Sequence, residues 1–251
     1  MLSKEKTWEK LVATGKVQGA MPSGLWDLSG LDLVGADLTD TDLRGVVFYG
    51  ANLTGAALIK SYPIGADFRK ATLRKAILTE AKCMASMFDE ADLSEANVSS
   101  AELSSASLRG ASVTRANLRN TFLTGSNLEG ANLRGANLSK AELSAANLIG
   151  ADLTGADLSG ADLNGAKLGK ARLESANLAE ADFNYANLSG ADLNDANLQG
   201  SKLTNANLEG TQNLTIQQLS QAATLLDAQL DPILKEQLQT EYPRLFVNPE
   251  G

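Results

Sequence analysis

Side chains that could act as acids or bases recur at fixed spacing in this sequence. Aspartate takes the second position of many five-residue blocks, among them Asp37, Asp92, Asp152, Asp157, Asp162, Asp182 and Asp192. Paired carboxylates act as general acid and base only where a cleft desolvates them and shifts a pKa. Asn takes the same position in many other blocks, and both side chains bond local backbone in turns. We therefore interpret these carboxylates as turn residues.

The other reactive side chains give little support for catalysis. The chain has no histidine, the commonest general base, and its one cysteine is Cys83 in the block "AKCMA". We expect Cys83 to be a buried packing residue unless the backbone bulges there. The Gly-rich stretch "GADLTGADLSG", with Gly150, Gly155 and Gly160, does not have the spacing of a phosphate-binding loop. We expect no enzyme activity, cofactor or metal.

Composition and charge limit the classes of partner. The 251 residues carry a net charge of −8 with a pI near 4.7, which argues against direct binding to nucleic acid or to an anionic membrane. A single cysteine forms no intrachain disulfide, and the first twenty residues contain no apolar signal segment. We expect a soluble cytoplasmic protein.

Blocks of five run without interruption from Trp26 to Gly210. In these 37 blocks the third residue is Leu 29 times, and the first is Ala 28 times. Two apolar positions separated by one residue point to the same side of an extended segment, and the polar pair after the Leu makes a corner. Each block therefore predicts one side of a coil, and the coils must stack about 4.8 Å apart to bury their Leu residues.

The exceptions at the third position indicate how many sides a coil has. Phe48, Phe68 and Phe88 recur every 20 residues, and so do Pro63 and Cys83. This recurrence favours four blocks per turn, with the larger side chains stacked on one another. A bulge is expected where "SYPIG" (61–65) lies next to "AKCMA" (81–85).

Blocks such as "ADLTG", "ADLSG", "ANLRG" and "ANLEG" resemble the pentapeptide repeat family. The resemblance covers residues 26–210 and implies an all-β solenoid: a right-handed quadrilateral parallel β-helix of about nine coils, roughly 45 Å long. It also implies two kinds of role. Some members mimic DNA and act on type II topoisomerases, and others take part in cyanobacterial regulation.

The two ends of the repeat need covers, because a solenoid exposes apolar rings and strand edges there. We expect an N-terminal helix and cap (1–25), the β-helix (26–210) and a C-terminal two-helix cap (211–251). The first helix is predicted over residues 3–14, with Ser3 as N-cap and Trp8, Leu11 and Val12 on one face. At the C-terminal end, one helix follows Thr215 with Ile216, Leu219, Ala223 and Leu226 on its apolar face. The other follows Asp231 and stops at Pro243.

One stretch departs from the polar outer pattern. Between residues 46 and 90, the outward positions include eight large apolar side chains: Val47, Tyr49, Ile59, Tyr62, Ile64, Ile77, Met84 and Met87. Clustered apolar residues on a polar rod indicate a contact surface for a protein partner or a second copy, unless the N-terminal cap covers them. With four blocks per turn, Tyr62, Ile64 and Met84 lie on one side of the coil, and Ile59 and Ile77 lie on the neighbouring side. The other two sides carry four basic residues that could form a rim: Arg69, Lys70, Arg74 and Lys75.

We therefore predict a non-enzymatic protein-interaction, scaffold or regulatory rod. The alternative is an acidic DNA mimic that acts on a type II topoisomerase. The net charge favours this alternative, but Arg109, Arg115, Arg119 and Arg134 interrupt the acidic surface.

Overall fold

The chain winds into a four-sided coil of short parallel β-bridges. The computed structural model describes residues 2–16 and 26–247. Bridges join residues 20 apart, as in Asp157 with Asn177, and this pairing extends from Asp27 to Gln212. Since each block has five residues, 20 residues make four sides. Side 1 comprises the blocks that begin at residue 26 and every 20 residues after it; sides 2, 3 and 4 begin at 31, 36 and 41.

Each block pairs with the coils before and after it through its own backbone. Leu158 N–H donates to Asn177 O at 2.8 Å, and Asp157 N–H donates to Ala136 O at 2.9 Å. The Leu at the third position and the Ala at the first point inward, so that Leu158 and Ala156 are buried. The second, fourth and fifth residues form the outer surface. The alternation predicted from the sequence is observed.

A tight corner follows each side. Ala161 N–H donates to Leu158 O at 3.0 Å, which closes a four-residue turn across positions four and five. The fifth residue has a positive φ in all 37 blocks, whether it is Gly160 at 63° or Lys140 at 57°. A left-handed conformation costs a non-glycine residue about 1–2 kcal/mol, so the ladder on both sides of the corner must hold it in place.

The interior is a column of stacked apolar side chains. Phe48, Phe68 and Phe88 lie face to face on side 1, with centroid distances of 4.8 and 4.7 Å and interplanar angles of 5° and 4°. The sequence predicted this stack from the 20-residue recurrence.

The predicted bulge at Pro63 is absent. Gly65 N–H donates to Met84 O at 3.0 Å and Lys82 N–H donates to Ser61 O at 2.9 Å, as elsewhere in the ladder. Pro63 has no N–H, and Tyr62 with Lys82 is the one pair missing from the 20-residue series between residues 27 and 212. Pro63 removes one backbone hydrogen bond but does not shift the register of the coil. Cys83 in the next coil therefore stays fully buried.

Helix α1 (Lys4–Ala13) covers the N-terminal end of the coil. Ser3 is its N-cap, as predicted, and Trp8 packs edge-on against Trp26 at 5.7 Å. Leu11 is buried, but the prediction for Val12 is wrong: it is 40% exposed, because the apolar face of the helix is narrow. Residues 17–25 of the predicted N-terminal cap lie outside the described residues.

The C-terminal end differs most from the sequence prediction. Helix α2 (Ile216–Ser220) has the predicted capping box of Thr215 and Gln218, but it ends before Ala223, which is exposed. The chain then rejoins the ladder, where Thr224 pairs with Lys202 and Gln229 with Asn207, 22 residues apart. The single long apolar helical face proposed for Ile216 to Leu226 is therefore wrong. The repeat consensus ends at Gly210, but backbone pairing continues beyond it.

Two further helical segments pack on this last coil. Helix α3 (Pro232–Glu241) starts with a proline after Asp231 and buries Leu238, and a short 3₁₀ helix follows at Pro243–Phe246 and buries Leu245. Leu234 and Tyr242 pack partly buried on the same core, on the side of α3 that was predicted to be apolar. Residues 248–251 lie outside the described residues. Within the described residues, none of the helices is long and apolar enough to cross a membrane.

Candidate protein-contact surface

The eight apolar residues predicted as a contact surface lie on three sides of the coil. Val47, Tyr49 and Met87 are on side 1, Ile59 and Ile77 on side 3, and Tyr62, Ile64 and Met84 on side 4. All eight are at outward positions, next to buried third-position residues. Tyr49 is 41% exposed and Ile77 37%, and the other six are half-buried.

Charged residues divide the group on side 1. The ladder places Asp67 between Val47 and Met87. The Arg69 guanidinium bonds both oxygens of Asp67, at 2.9 and 2.7 Å, and its carbon lies 5.9 Å from the Tyr49 ring centroid. The hydrogen bonds from Arg69 hold the pKa of Asp67 below its usual range, although partial burial opposes the shift. Side 1 is therefore a mixed, internally paired surface here.

The remaining five residues form two neighbouring groups, which we call the side 3/4 patch: Ile59, Tyr62, Ile64, Ile77 and Met84. On side 3, Ile77 pairs with Ala57 of the coil before, and Ile59 follows two residues after Ala57. On side 4, Ile64 and Met84 occupy the same outward position in successive coils, where Gly65 N–H donates to Met84 O. The prediction that these residues come together is consistent with this register.

An ion pair lies along the corner between the two halves of the patch. Lys60 and Glu80 are the left-handed corner residues that end successive side 3 blocks, and their charged atoms are 3.6 Å apart. Both side chains are more than half exposed. The patch is therefore two apolar strips separated by a charged line, a composition found at protein interfaces with a polar component.

The described part of the N-terminal cap, residues 2–16, makes its contacts away from this patch. Helix α1 and Leu2, two residues before it, contact the first coil: Lys10 bonds Asp37 at 2.6 Å, Lys4 bonds Arg44 O at 3.0 Å, and Leu2 pairs with Thr41. These contacts lie before residue 46. The side 3/4 patch, one and two coils further along, retains accessible surface at all five residues.

The carboxylates considered for acid–base chemistry bond the local backbone. Each accepts the N–H of the residue two places on, as Asp157 does from Ser159 at 3.0 Å. The same bond is made by Asp37, Asp92, Asp152, Asp162, Asp182 and Asp192. Among residues 2–16 and 26–247, no group of three or more His, Cys, Asp or Glu side chains could hold a metal ion.

The basic residues of the outer surface mostly pair with acidic ones. On side 2, Arg74 and Arg115 both approach Glu95, at 3.3 and 3.6 Å, and Asp152 lies 3.2 Å from Arg134. Lys70 pairs with Glu90, Lys75 with Glu95 and Arg109 with Glu129. The rim expected from Arg69, Lys70, Arg74 and Lys75 is thus neutralised by neighbouring carboxylates.

These features define a class of protein: a β-solenoid built from five-residue sides. The sequence model for pentapeptide repeats matches eight overlapping copies, over residues 27–62, 48–82, 86–125, 114–148, 126–165, 141–178, 156–195 and 171–210. The chain belongs to the pentapeptide repeat family. Its fold is the right-handed quadrilateral β-helix of that family.

Solved structures of three proteins show the range of similarity. HetL, a pentapeptide repeat protein involved in heterocyst differentiation regulation from Nostoc sp. strain PCC 7120, is 33% identical, over 88% of this chain and 92% of its own, with a TM-score of 0.48. QnrB1, a plasmid-mediated fluoroquinolone resistance protein, is 20% identical over 86% and 96%, with a TM-score of 0.54. Rfr23 from the cyanobacterium Cyanothece 51142 is 31% identical over 48% and 64%, with a TM-score of 0.31. Among curated proteins, none matches this chain.

Proposed function

We propose that this protein is a non-enzymatic interaction protein, a rod of about nine coils whose outer sides bind a protein partner. The side 3/4 patch supports this proposal most directly, because it places five large apolar side chains together on a surface that is mostly polar. A half-buried outward isoleucine or methionine adds nothing to the inner column, which third-position residues already fill. The part of its apolar surface that is still exposed is removed from water when another molecule covers it.

The build of the coil supports a binding role over a catalytic one. The third-position residues that fill the interior are apolar and buried, and the carboxylates that could act as acid and base are occupied by turn backbone. The similarity to HetL, whose role is in regulation, agrees with a protein that acts by binding. We propose the cytoplasm as its location, and a second copy of the chain as the alternative partner.

DNA mimicry directed at a type II topoisomerase is the second candidate. The net charge of −8 and the rod shape favour it, and the likeness to QnrB1, at 20% identity, supports the fold alone. The pairing of Arg74, Arg115 and Arg134 with carboxylates weakens it, because a mimic of duplex DNA needs continuous negative potential. A DNA supercoiling assay with purified gyrase tests it: inhibition at micromolar protein would favour mimicry, and no effect would remove it.

The proposal is tested by affinity capture from a native lysate. The bait is either the wild type or the double variant Ile64→Lys/Met84→Lys, which places two charges on the side 4 half of the patch. We expect a partner, or a second copy of the chain, to be retained by the wild type and lost by the variant. Light scattering reports the mass of each bait, and circular dichroism confirms that each one folds.

A matched control has the same chemistry away from the patch. Thr124→Lys/Ser144→Lys changes the same outward position on the same side, in coils further along the rod. The control should retain whatever the wild type retains. If the patch variant and the control capture the same proteins at the same mass, the side 3/4 patch is not the contact surface.

A further inference from the structure

A second apolar feature lies far from the side 3/4 patch, on side 1 near the C-terminal end. Ile149, Gly169 and Ser189 occupy the same fourth position in successive coils, joined by the bonds Gly150 N–H to Gly169 O and Lys170 N–H to Ser189 O, each 3.0 Å. Since Gly169 has no side chain, a recess of about 490 Å³ opens between its neighbours. Ile149, 41% exposed, and Tyr185, 63% exposed, line it.

Tyr185 has an unusual backbone conformation for its size. It is a corner residue with φ of 59°, a position that Gly, Lys, Glu, Ser and Asn fill in most other blocks. A bulky residue in the left-handed region carries a conformational cost, and the 63% exposure of Tyr185 means that core packing does not offset it. An aromatic ring held beside an open recess is suited to cover part of a bound side chain.

The charged residues that line this recess are both basic. Lys167 and Lys170 line it, both are exposed, and neither has an ion-pair partner among the described residues. The larger recess on the same side, of about 730 Å³, is lined by Arg69, Lys70 and Arg109, each of which pairs with a carboxylate. Two unpaired lysines on a chain of net charge −8 therefore mark a local preference for negative charge.

The Lys170 side chain starts across the glycine of the next coil. A Cβ at Gly190, in the next coil, would lie 3.6 Å from Lys170 Cγ, so the aliphatic stem passes over that glycine. Lys170 lines the recess, and a lysine stem of this kind can cover apolar surface while its ammonium group stays in water.

We propose that this recess docks an acidic segment of a protein partner, with one large apolar side chain seated over Gly169 between Ile149 and Tyr185 and flanking carboxylates bound by Lys167 and Lys170. The volume lies within the range of sites that hold a side chain or small ligand. A polyphosphate backbone fits less well, because it has no apolar side chain to occupy the space between Ile149 and Tyr185. This inference extends the proposed function by naming the chemistry of one partner segment, and it concerns a site separate from the side 3/4 patch.

The test is a titration of the ¹⁵N-labelled full chain with synthetic peptides, followed by amide chemical shifts. The probe peptide has a central phenylalanine between three aspartates on each side. Two matched peptides replace the aspartates with asparagines or the phenylalanine with alanine. We expect saturable shifts centred on the amides of Gly169, Lys170 and Ser189 with the probe, and binding weaker by about tenfold or more with either matched peptide.

Variants connect the shifts to the recess. Gly169→Gln fills it without changing charge; the φ there is not positive, and the nearest atom to an added Cβ is Ser189 O at 3.7 Å, so the fold should be retained. We expect Gly169→Gln and Lys167→Gln/Lys170→Gln each to reduce probe affinity by about tenfold, and Ser139→Gln, at the same position on side 3, to leave it unchanged.

The inference is overturned if millimolar probe leaves the Gly169 amide unshifted, or if Gly169→Gln binds the probe as the wild type does. If the probe fails while the side 3/4 patch still captures a partner from lysate, only this inference falls. If the probe binds as expected while no partner depends on the patch, the proposed contact surface falls instead.

Discussion

The aromatic stack on side 1 gives a direct measure of how neighbouring coils stabilise each other. Phe68 contacts Phe48 and Phe88 at centroid distances of 4.8 and 4.7 Å. Phe68→Leu installs the residue most common at this position and keeps the site apolar. It removes two aromatic pairs together with the volume difference between phenylalanine and leucine.

A matched variant separates these two contributions. Phe183 is also fully buried at a third position, but its register neighbours on side 4 are Leu163 and Leu203. Phe183→Leu therefore loses similar volume and no aromatic stack. Each aromatic pair contributes about 0.5–1.5 kcal/mol beyond area burial, so Phe68→Leu should cost about 1–3 kcal/mol more unfolding free energy than Phe183→Leu.

Urea unfolding followed by far-ultraviolet circular dichroism measures both costs, provided that the slope with urea is the same in wild type and variants. Equal costs for the two substitutions would refute the argument, because the stacked rings would then contribute only their buried area. A larger cost for Phe183→Leu would refute it more strongly.

Three further outcomes are expected. The pKa of Asp67 is lowered in the folded state, so its contribution to stability is present above the unfolded pKa of about 3.9 and is lost as pH falls through the folded pKa. In Asp67→Asn the free energy of unfolding should therefore fall less steeply at acidic pH than in the wild type. An unchanged dependence on pH would contradict this. Burial raises the pKa of the Cys83 thiol, so a thiol reagent at pH about 8 should modify the native chain only as fast as the chain unfolds. Rapid modification without denaturant would show instead that the thiol is exposed. Pro63→Leu supplies the missing N–H opposite Lys82 O, and this hydrogen bond should stabilise the fold by about 1 kcal/mol, as measured by thermal unfolding. Destabilisation would mean that the loss of the rigid proline outweighs the added hydrogen bond.

The body of the fold was predictable because one physical constraint repeats at every block. A Leu that must point inward every five residues defines the sides, and the phenylalanines 20 residues apart set the number of sides in a coil. The ends were less predictable, since no repeat averages out local ambiguity there. Ala223 and Leu226 have helical spacing from Ile216, but "ATLLD" at 223–227 also fits a repeat block, and inter-coil hydrogen bonds select the second interpretation.

The contact surface was predictable as a set of outward residues but not as a shape. Spacing along the chain placed Tyr49 among the apolar residues, but only the side-chain conformation of Arg69 shows that a cation covers its ring. Two sequence features accompany the recess at Gly169: a glycine at the fourth position of a block and a tyrosine at a corner. Neither signal indicates a recess until the coils are stacked and Ile149 is seen beside Tyr185.

Replacement of one side by helix α2 has a consequence for assembly. A parallel coil leaves an open row of backbone donors and acceptors at each end, which another copy could extend into a fibre. At the C-terminal end that row is interrupted on side 3 by α2, shifted by two residues at Thr224, and covered by α3 packed on α2. An incoming first coil, wound in uniform fives, would meet a mismatched template. The last turn therefore hinders end-to-end stacking of a second copy at the C-terminal end. The rod then keeps the length of a single chain.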